Sequence, residues 1–232
     1  MSPDSVVHLL AIDWPHLPNS VTETLPHRQA DIAPLLASAS VGGELEIVIV
    51  ASRRRFQVYT VGAGRTAGIR AVLRAVLVRM GGFTRLGHAR VIEASGLAAA
   101  RELFRSATGL DGEFALGLRG LYAITTAAAL AVEAGSIGEH LTGLFAHANS
   151  AAWTAHRDTE LGSALLSSER RELARFAAER IVEEQLLVWQ STYAEPMSRV
   201  VAHNDFPAEY SADEISSIVR VRMPASARES VA

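Results

Sequence analysis

The sequence predicts an α+β chain whose first part mixes strands and helices and whose remainder is helical. Three observations predict it. Two β-branched runs, Glu46 to Ala51 and Phe56 to Val61, flank the consecutive arginines Arg53, Arg54 and Arg55. Strand-like and helix-like apolar periods alternate as far as Glu93, and from Ser95 onward only the helical period remains. Glycine or proline stands at most of the changeovers, where a chain must leave one regular conformation for another.

Taken in order, Val6 to Asp13 (VVHLLAID) reads as a first strand, and Pro15, Pro18 and Pro26 mark the turn after it. His27 to Ala37 reads as a short helix that stops before Gly42 and Gly43. The runs around the arginines are the second and third strands. The second is apolar at every position from Ile47 to Ala51, as in a strand covered on both faces. Thr66 to Met80 carries Ile69, Val72, Leu73, Val76 and Leu77 on one helical face, ahead of Gly81 and Gly82. Ala89 to Glu93 is a fourth strand. The order β-α-β-β-α-β is that of a ferredoxin-like, split β-α-β unit, which sets a first domain at residues 1–94.

Beyond it, Leu97 to Thr108 is a helix ended by Gly109, and a second runs to Ala134. Gly135 supplies a C-terminal stop, and Ser136 with Glu139 has the spacing of a capping box for a third helix over Ile137 to Glu160. Residues 95–162 form the helical part of the first functional unit, and 163–232 a further helical region. There Ser168 to Val201 reads as one long helix. Its apolar positions include Leu173, Phe176, Ile181, Val188 and Trp189, which point to a homodimer interface or, as plainly, to packing within the monomer. Ser211 to Glu214 has the spacing of a capping box for a last short helix.

Composition excludes much chemistry. The chain of 232 residues has no cysteine, and its sequence contains no lysine, so all 22 basic residues are arginine. Thiol nucleophiles, cysteine metal sites, Schiff-base lysines and a phosphate loop of the Walker kind are all ruled out. A net charge of -3 gives no overall pull toward nucleic acid, so any such binding must come from a local patch. The longest apolar run, Ile124 to Val132, is too short to span a membrane, and the first residues lack a basic and apolar signal segment. A cytoplasmic protein is expected. His140 and His147 share a helix face, but two histidines without a third ligand make no metal site, and no metal is expected.

Three adjacent guanidiniums cannot all be paired by Glu46 and Gln57, the nearest acidic and amide groups in sequence, so they are expected to face a cleft or water. Such a run is either a solvated hairpin end or an anion clamp. Gly62 to Ala67 fits the GxGxxA pattern of dinucleotide sites, yet Glu93 lies farther downstream than the usual spacing of about 20 residues, and too few strands follow.

The second half carries a series of motifs: Leu103 to Asp111 (LFRSATGLD), Glu133 to Gly138 (EAGSIG), Leu144-Phe145 and Asp158 to Gly162 (DTELG). In that order and spacing they resemble the LFRVASGLDS, EAGTVG, LF and RTETxIG motifs of glutamyl-tRNA reductases. Ala11 to Pro18 resembles that family's GLNHKTAP, Ala51 to Tyr59 (ASRRRFQVY) its STCNRTELY, and Glu179 to Glu184 with Glu195 to Met197 the start of its helical dimerisation region. The resemblance spans about residues 8–200. It implies a ferredoxin-like catalytic domain followed by helices, and it assigns Gly62 to Ala67 to a loop away from any NADPH site.

The departures matter as much. The family's catalytic cysteine, which forms a thioester with the glutamyl group of charged tRNA, falls on Arg53, which cannot be that nucleophile. The HLFR histidine falls on Glu102, the LGE glutamate on Leu118, and the basic KRVR run on Trp153 to His156. After Gly162 the chain passes directly to the long helix, where the family has its NADPH domain. The resemblance therefore implies a relative that is not a reductase and needs no cofactor. Arg55 falls on the motif arginine that engages the glutamate moiety, with Ser52 on the threonine beside it.

The expected function is binding of an aminoacyl-tRNA end, glutamyl-tRNA by resemblance, or of a related carboxylate, in a cleft of residues 13–16, 52–59 and 102–105. Ser52, Arg54, Arg55, His16 and Arg105 would bind substrate. If the aminoacyl group is transferred to an amine, Arg53 would stabilise the oxyanion and Glu102 act as base. A bland role for Glu102 is an ion pair with Arg101 or Arg105. The alternative function is a non-catalytic regulatory or assembly protein of the tetrapyrrole pathway, acting through the helical half or through a bound small ligand.

Overall fold

The computed structural model describes residues 6–13, 45–52, 55–62, 90–111, 118–159, 167–193 and 199–203. Strands β1 (His8–Asp13), β2 (Leu45–Ala51), β3 (Arg55–Gly62) and β4 (Arg90–Ser95) are followed by helices α1 (Leu97–Thr108), α2 (Arg119–Glu133), α3 (Glu139–Thr159) and α4 (Ser168–Tyr193), and by strand β5 (Arg199–His203). The chain is α+β. The helices expected over 27–37 and 66–80, the GxGxxA stretch after Gly62 and the capping box at 211–214 lie outside the described residues.

One sheet has the order β2-β3-β1-β4-β5 with every neighbouring pair antiparallel. β1 lies at its centre, with Leu9 opposite Tyr59 on one side and Ala94 on the other. The near-continuous apolar character of β2 and β3 has the meaning expected of it, since the sheet is covered on both faces. Val48, Val50, Tyr59 and Val61 join the core formed with the helices, while Ile47, Ile49, Phe56 and Val58, on the alternate face, are buried as well.

Helix α1 ends at Gly109, whose φ of 77° is in the left-handed region that glycine enters without a Cβ clash. The Leu110 N–H then donates back to Arg105 O at 2.8 Å. This turn brings Asp111 up beside its own helix. Helix α2 crosses α1 closely at Gly120, where a Cβ would lie 2.1 Å from Ser106 O.

The expected capping box at Ser136 does not form. The Ser136 hydroxyl instead donates to Ile47 O at 2.9 Å, and Ser136 O accepts the Ile47 N–H at 2.7 Å, tying the α2–α3 link to strand β2. The cap of α3 comes from that strand. Glu46 Oε2 accepts the Leu141 N–H at 2.8 Å, and Oε1 accepts the His140 N–H at 3.3 Å while lying 3.0 Å from His140 Nδ1. A carboxylate here meets both unsatisfied N–H groups and the positive end of the helix. Tertiary packing thus displaced a local cap with a stronger, charged one.

The long helix also differs from expectation. It ends at Tyr193, and residues 199–203, expected to continue it, add β5 to the sheet with Val201 opposite Glu93. Pro196, in the intervening stretch, has no N–H to continue a helix, and the β-branched pair Val200-Val201 suits a strand. The apolar positions of α4 separate into two faces. Ala178, Val182, Leu186 and Trp189 enter the core shared with α1, α2, α3 and the sheet, and Ile181 packs against it. Trp189 is therefore a core residue of the monomer, while Leu173 and Phe176 remain 70% and 71% exposed.

Candidate functional site

The strand pleat decides which side chains meet. On β3, Arg55, Gln57 and Tyr59 alternate onto the helix-facing side, and on β1 Asp13 stands directly opposite Arg55 in the register. Arg55 grips Asp13 with two N–H groups, Nε to Oδ1 and NH2 to Oδ2, the latter at 2.9 Å. Its remaining terminal nitrogen, NH1, lies 3.4 Å from Asp111 Oδ2 and 3.5 Å from Glu102 Oε2. One guanidinium thus gathers three carboxylates from β1, α1 and the turn after α1.

Beneath it runs a buried polar chain. Ser106 Oγ donates to Asp111 Oδ2 at 2.7 Å, Gln57 Nε2 donates to Ser106 Oγ at 2.9 Å, and Tyr59 OH donates to Gln57 Oε1 at 3.4 Å. Each member meets the need of the next, which is what allows four polar side chains to sit under the sheet. The Tyr59 ring is also packed edge-on against Phe145, with centroids 5.7 Å apart.

The electrostatics follow from the crowding. Burial alone would lower the Arg55 pKa, but the hydrogen bond and charge of Asp13, with the charges of Asp111 and Glu102, outweigh it and raise it further above its ordinary value. Burial pushes the Tyr59 phenol well above its ordinary value, and Glu102 adds to that. The guanidinium is a permanent cation and the phenol stays protonated. The half-open part of the constellation is Asp13 and Glu102, with side chains 21% and 30% exposed, over Arg55 at 13%.

The residues anticipated from the sequence fare unequally. Arg55 and Glu102 are brought together. Ser52 is nearby, but its hydroxyl closes the turn between β2 and β3, accepting the Arg55 N–H at 3.0 Å and donating to Arg55 O at 3.2 Å. Arg105 points elsewhere, donating to Leu110 O at 3.2 Å and lying 3.6 Å from Glu179 on α4. The bland pairing of Glu102 with Arg101 or Arg105 does not occur, because Arg101 makes a two-pronged contact with Glu183 of α4 at 2.8 and 3.0 Å. Arg53, Arg54 and His16 lie outside the described residues.

The expectation that the arginines, not all paired locally, face a cleft or water is corrected for Arg55, which is held by three carboxylates. Its partners are distant in sequence and adjacent only in the fold. Asp111, Ser106 and Gln57 were not singled out as site residues. For Gln57 the available signal was the pleat, which puts it on the same side of β3 as Arg55; the register that sets Asp13 opposite Arg55, and the approach of Ser106 and Asp111, leave no local signal. Among the described residues, no group of three His, Asp or Glu side chains is arranged to hold a metal ion, and no helix is long and apolar enough to cross a membrane.

No protein-family model and no curated protein matches the chain. Among solved structures it is similar to glutamyl-tRNA reductase from Methanopyrus kandleri, with a TM-score of 0.46 and 19% identity over 80% of this chain and 47% of that one. The chain thus spans about half the length of that enzyme.

Proposed function

We propose that this chain is a glutamyl-tRNA-reductase-like protein that no longer reduces, and that it binds an aminoacyl group or related small acid at the Arg55 constellation. The colinear motifs carry the family reading. The antiparallel order β2-β3-β1-β4 supports reading its sheet as that of a ferredoxin-like unit. The observation that carries the site is the convergence of Arg55, Asp13 and Glu102 at a half-open end of the sheet, over a fully paired polar floor.

A bound aminoacyl ester would present a cationic amine to Asp13 or Glu102, and an acidic side chain to the arginine run. Transfer to an incoming amine requires no hydride and no thioester. The amine nitrogen attacks the ester carbonyl, Glu102 takes the proton it sheds, and Arg53 stabilises the oxyanion. The C–O bond then breaks, and the ribose hydroxyl leaves with a proton returned from Glu102. In this scheme Ser52 and Arg55 hold the loop that carries Arg53, and Arg54 and His16 contact the rest of the substrate, while Arg105 is given no part because it is engaged with Leu110 and Glu179.

The test is a filter-binding assay with glutamyl-tRNA, alanyl-tRNA and uncharged tRNA over a salt series, on the native chain and on Glu102→Gln and Arg53→Ala. Selective retention of glutamyl-tRNA that Arg53→Ala weakens, with amide formed from an added primary amine and lost in Glu102→Gln, is the expected result. No binding of any tRNA at low salt would overturn it. Arg55 is unsuited as the test position, because its removal disturbs the fold itself.

A second reading, a non-catalytic assembly protein, is favoured by the exposed apolar residues Leu173, Phe176, Leu187 and Val188 on α4.

A further inference from the structure

Where α1 and α4 face each other, their charges form a short ladder. Arg101 makes its two-pronged contact with Glu183 at 2.8 and 3.0 Å, and one turn farther along α1 Arg105 lies 3.6 Å from Glu179, one turn back along α4. Arg105 and Arg175 both donate to Leu110 O, at 3.2 and 3.3 Å, and Arg175 lies 3.7 Å from Glu179. Glu102 stands beside both rungs. It follows Arg101 in sequence and precedes Arg105 by three residues, a spacing at which opposite charges on one helix ordinarily pair. Neither arginine takes it. Among the described residues no N–H or O–H group donates to the Glu102 carboxylate, and its nearest cation is Arg55 NH1 at 3.5 Å.

We propose that Glu179 and Glu183 are positioning residues, which hold Arg105 and Arg101 off Glu102 so that its carboxylate stays open to the N–H groups of a substrate ammonium. Glu102 enters here as the group that serves the substrate amine, as in the acyl-transfer reading above, on which this role of α4 rests.

Three carboxylates meet the single Arg55 guanidinium, so the constellation is left with acid in excess. The excess does not come from a shortage of cations, because two arginines flank Glu102 on its own helix and both are turned away. Arg101 is within electrostatic reach of either partner: the Glu183 hydrogen bond raises its pKa above the ordinary value, and the charge of Glu102 adds to that. Geometry decides for Glu183, which offers both oxygens to the guanidinium fork, whereas neighbouring residues of one helix point about 100° apart. Arg105 is drawn the same way by Glu179, and Leu110 O fixes its other end. With the two α4 glutamates neutral, Glu102 becomes the acid left to the freed arginines, and an ion pair within α1 closes the seat. With them charged, Glu102 is half-open and served by water, which an ammonium replaces with charge-assisted hydrogen bonds.

The probe is ethylammonium chloride, titrated into the full chain and followed through the N–H signal of Arg55 Nε, in about 0.15 M salt so that charges not in contact are largely screened. Saturable binding is expected, lost in Glu102→Gln and weakened about tenfold or more by Glu179→Gln combined with Glu183→Gln. Adding Arg101→Gln and Arg105→Gln to the glutamate pair should restore it to within about twofold, with Arg175 still holding Leu110 O. In urea unfolding, Glu102→Gln and Arg105→Gln should be additive in the native chain and non-additive once Glu179→Gln is present, which separates a formed ion pair from a diffuse effect of charge. No saturable binding by the native chain, a fourfold variant no better than the glutamate pair, or additivity in both backgrounds would overturn the proposal. Ammonium binding with the expected pattern in a chain that retains no tRNA would support it while the aminoacyl reading falls. Amide formation from glutamyl-tRNA and ethylamine with an amine KM indifferent to the glutamate pair would overturn it and leave that reading standing.

Discussion

Asp13 and Arg55 are register partners on β1 and β3, and the carboxylate of one is held by two N–H groups of the other. The contact joins the central strand of the sheet to the end of the β2–β3 hairpin, and through Asp111 and Glu102 to helix α1. Removing the cation leaves three carboxylates facing one another, one of them almost fully buried. Arg55→Ala is expected to cost about 3 to 5 kcal/mol in chemical denaturation. A double-mutant cycle with Asp13→Ala should fall short of additivity by about 1 kcal/mol or more. Additive losses would mean that the two side chains do not act as a pair.

Glu46 and Gly138 form one device. The Glu46 carboxylate caps α3 only because position 138 has no Cβ, which would stand 2.6 Å from Glu46 Cδ. Glu46→Ala and Gly138→Ala are each expected to destabilise by about 1 to 2 kcal/mol. Combined, they should cost little more than either alone, which thermal and urea unfolding would check.

The two faces of α4 should respond oppositely to substitution. Trp189→Ala empties a core position and is expected to cost about 3 to 5 kcal/mol. Phe176→Ser, on the outward face, should alter the stability of the single chain by no more than about 0.5 kcal/mol. Dilute, subunit-level unfolding by urea distinguishes the two.

His156 supplies a pH dependence. Burial lowers its pKa below the ordinary 6.5, and its Nε2 is buried without a hydrogen-bond partner. The folded chain thus binds this proton less readily than the unfolded chain. Stability is unaffected above both values and falls as pH drops below 6.5 toward the depressed folded value. Unfolding midpoints from pH 8 to 5 should show a decline that His156→Gln reduces. A decline of equal size in that variant would assign it to other groups.

The chemistry that the missing side chains exclude, and the positions of most strands and helices, were legible in the chain. Leu97 to Thr108 was predicted with the bounds observed, because apolar spacing and Gly109 are local signals. The long helix was overextended because an apolar β-branched stretch as short as Arg199 to His203 reads alike in either conformation. Which apolar residues of α4 face inward was equally hidden, since a helix apolar on two sides has no unique interior until its neighbours are in place.

The site divides in the same way. Alternation along β3 by itself determines that Arg55, Gln57 and Tyr59 share a side, because the pleat has a period of two. The tertiary structure alone decided that this side meets Asp13, Glu102 and Asp111, and that Glu46 rather than Ser136 caps α3. Charges distant in sequence become partners only when packing removes the water that would otherwise serve them, and local spacing carries no record of that exchange.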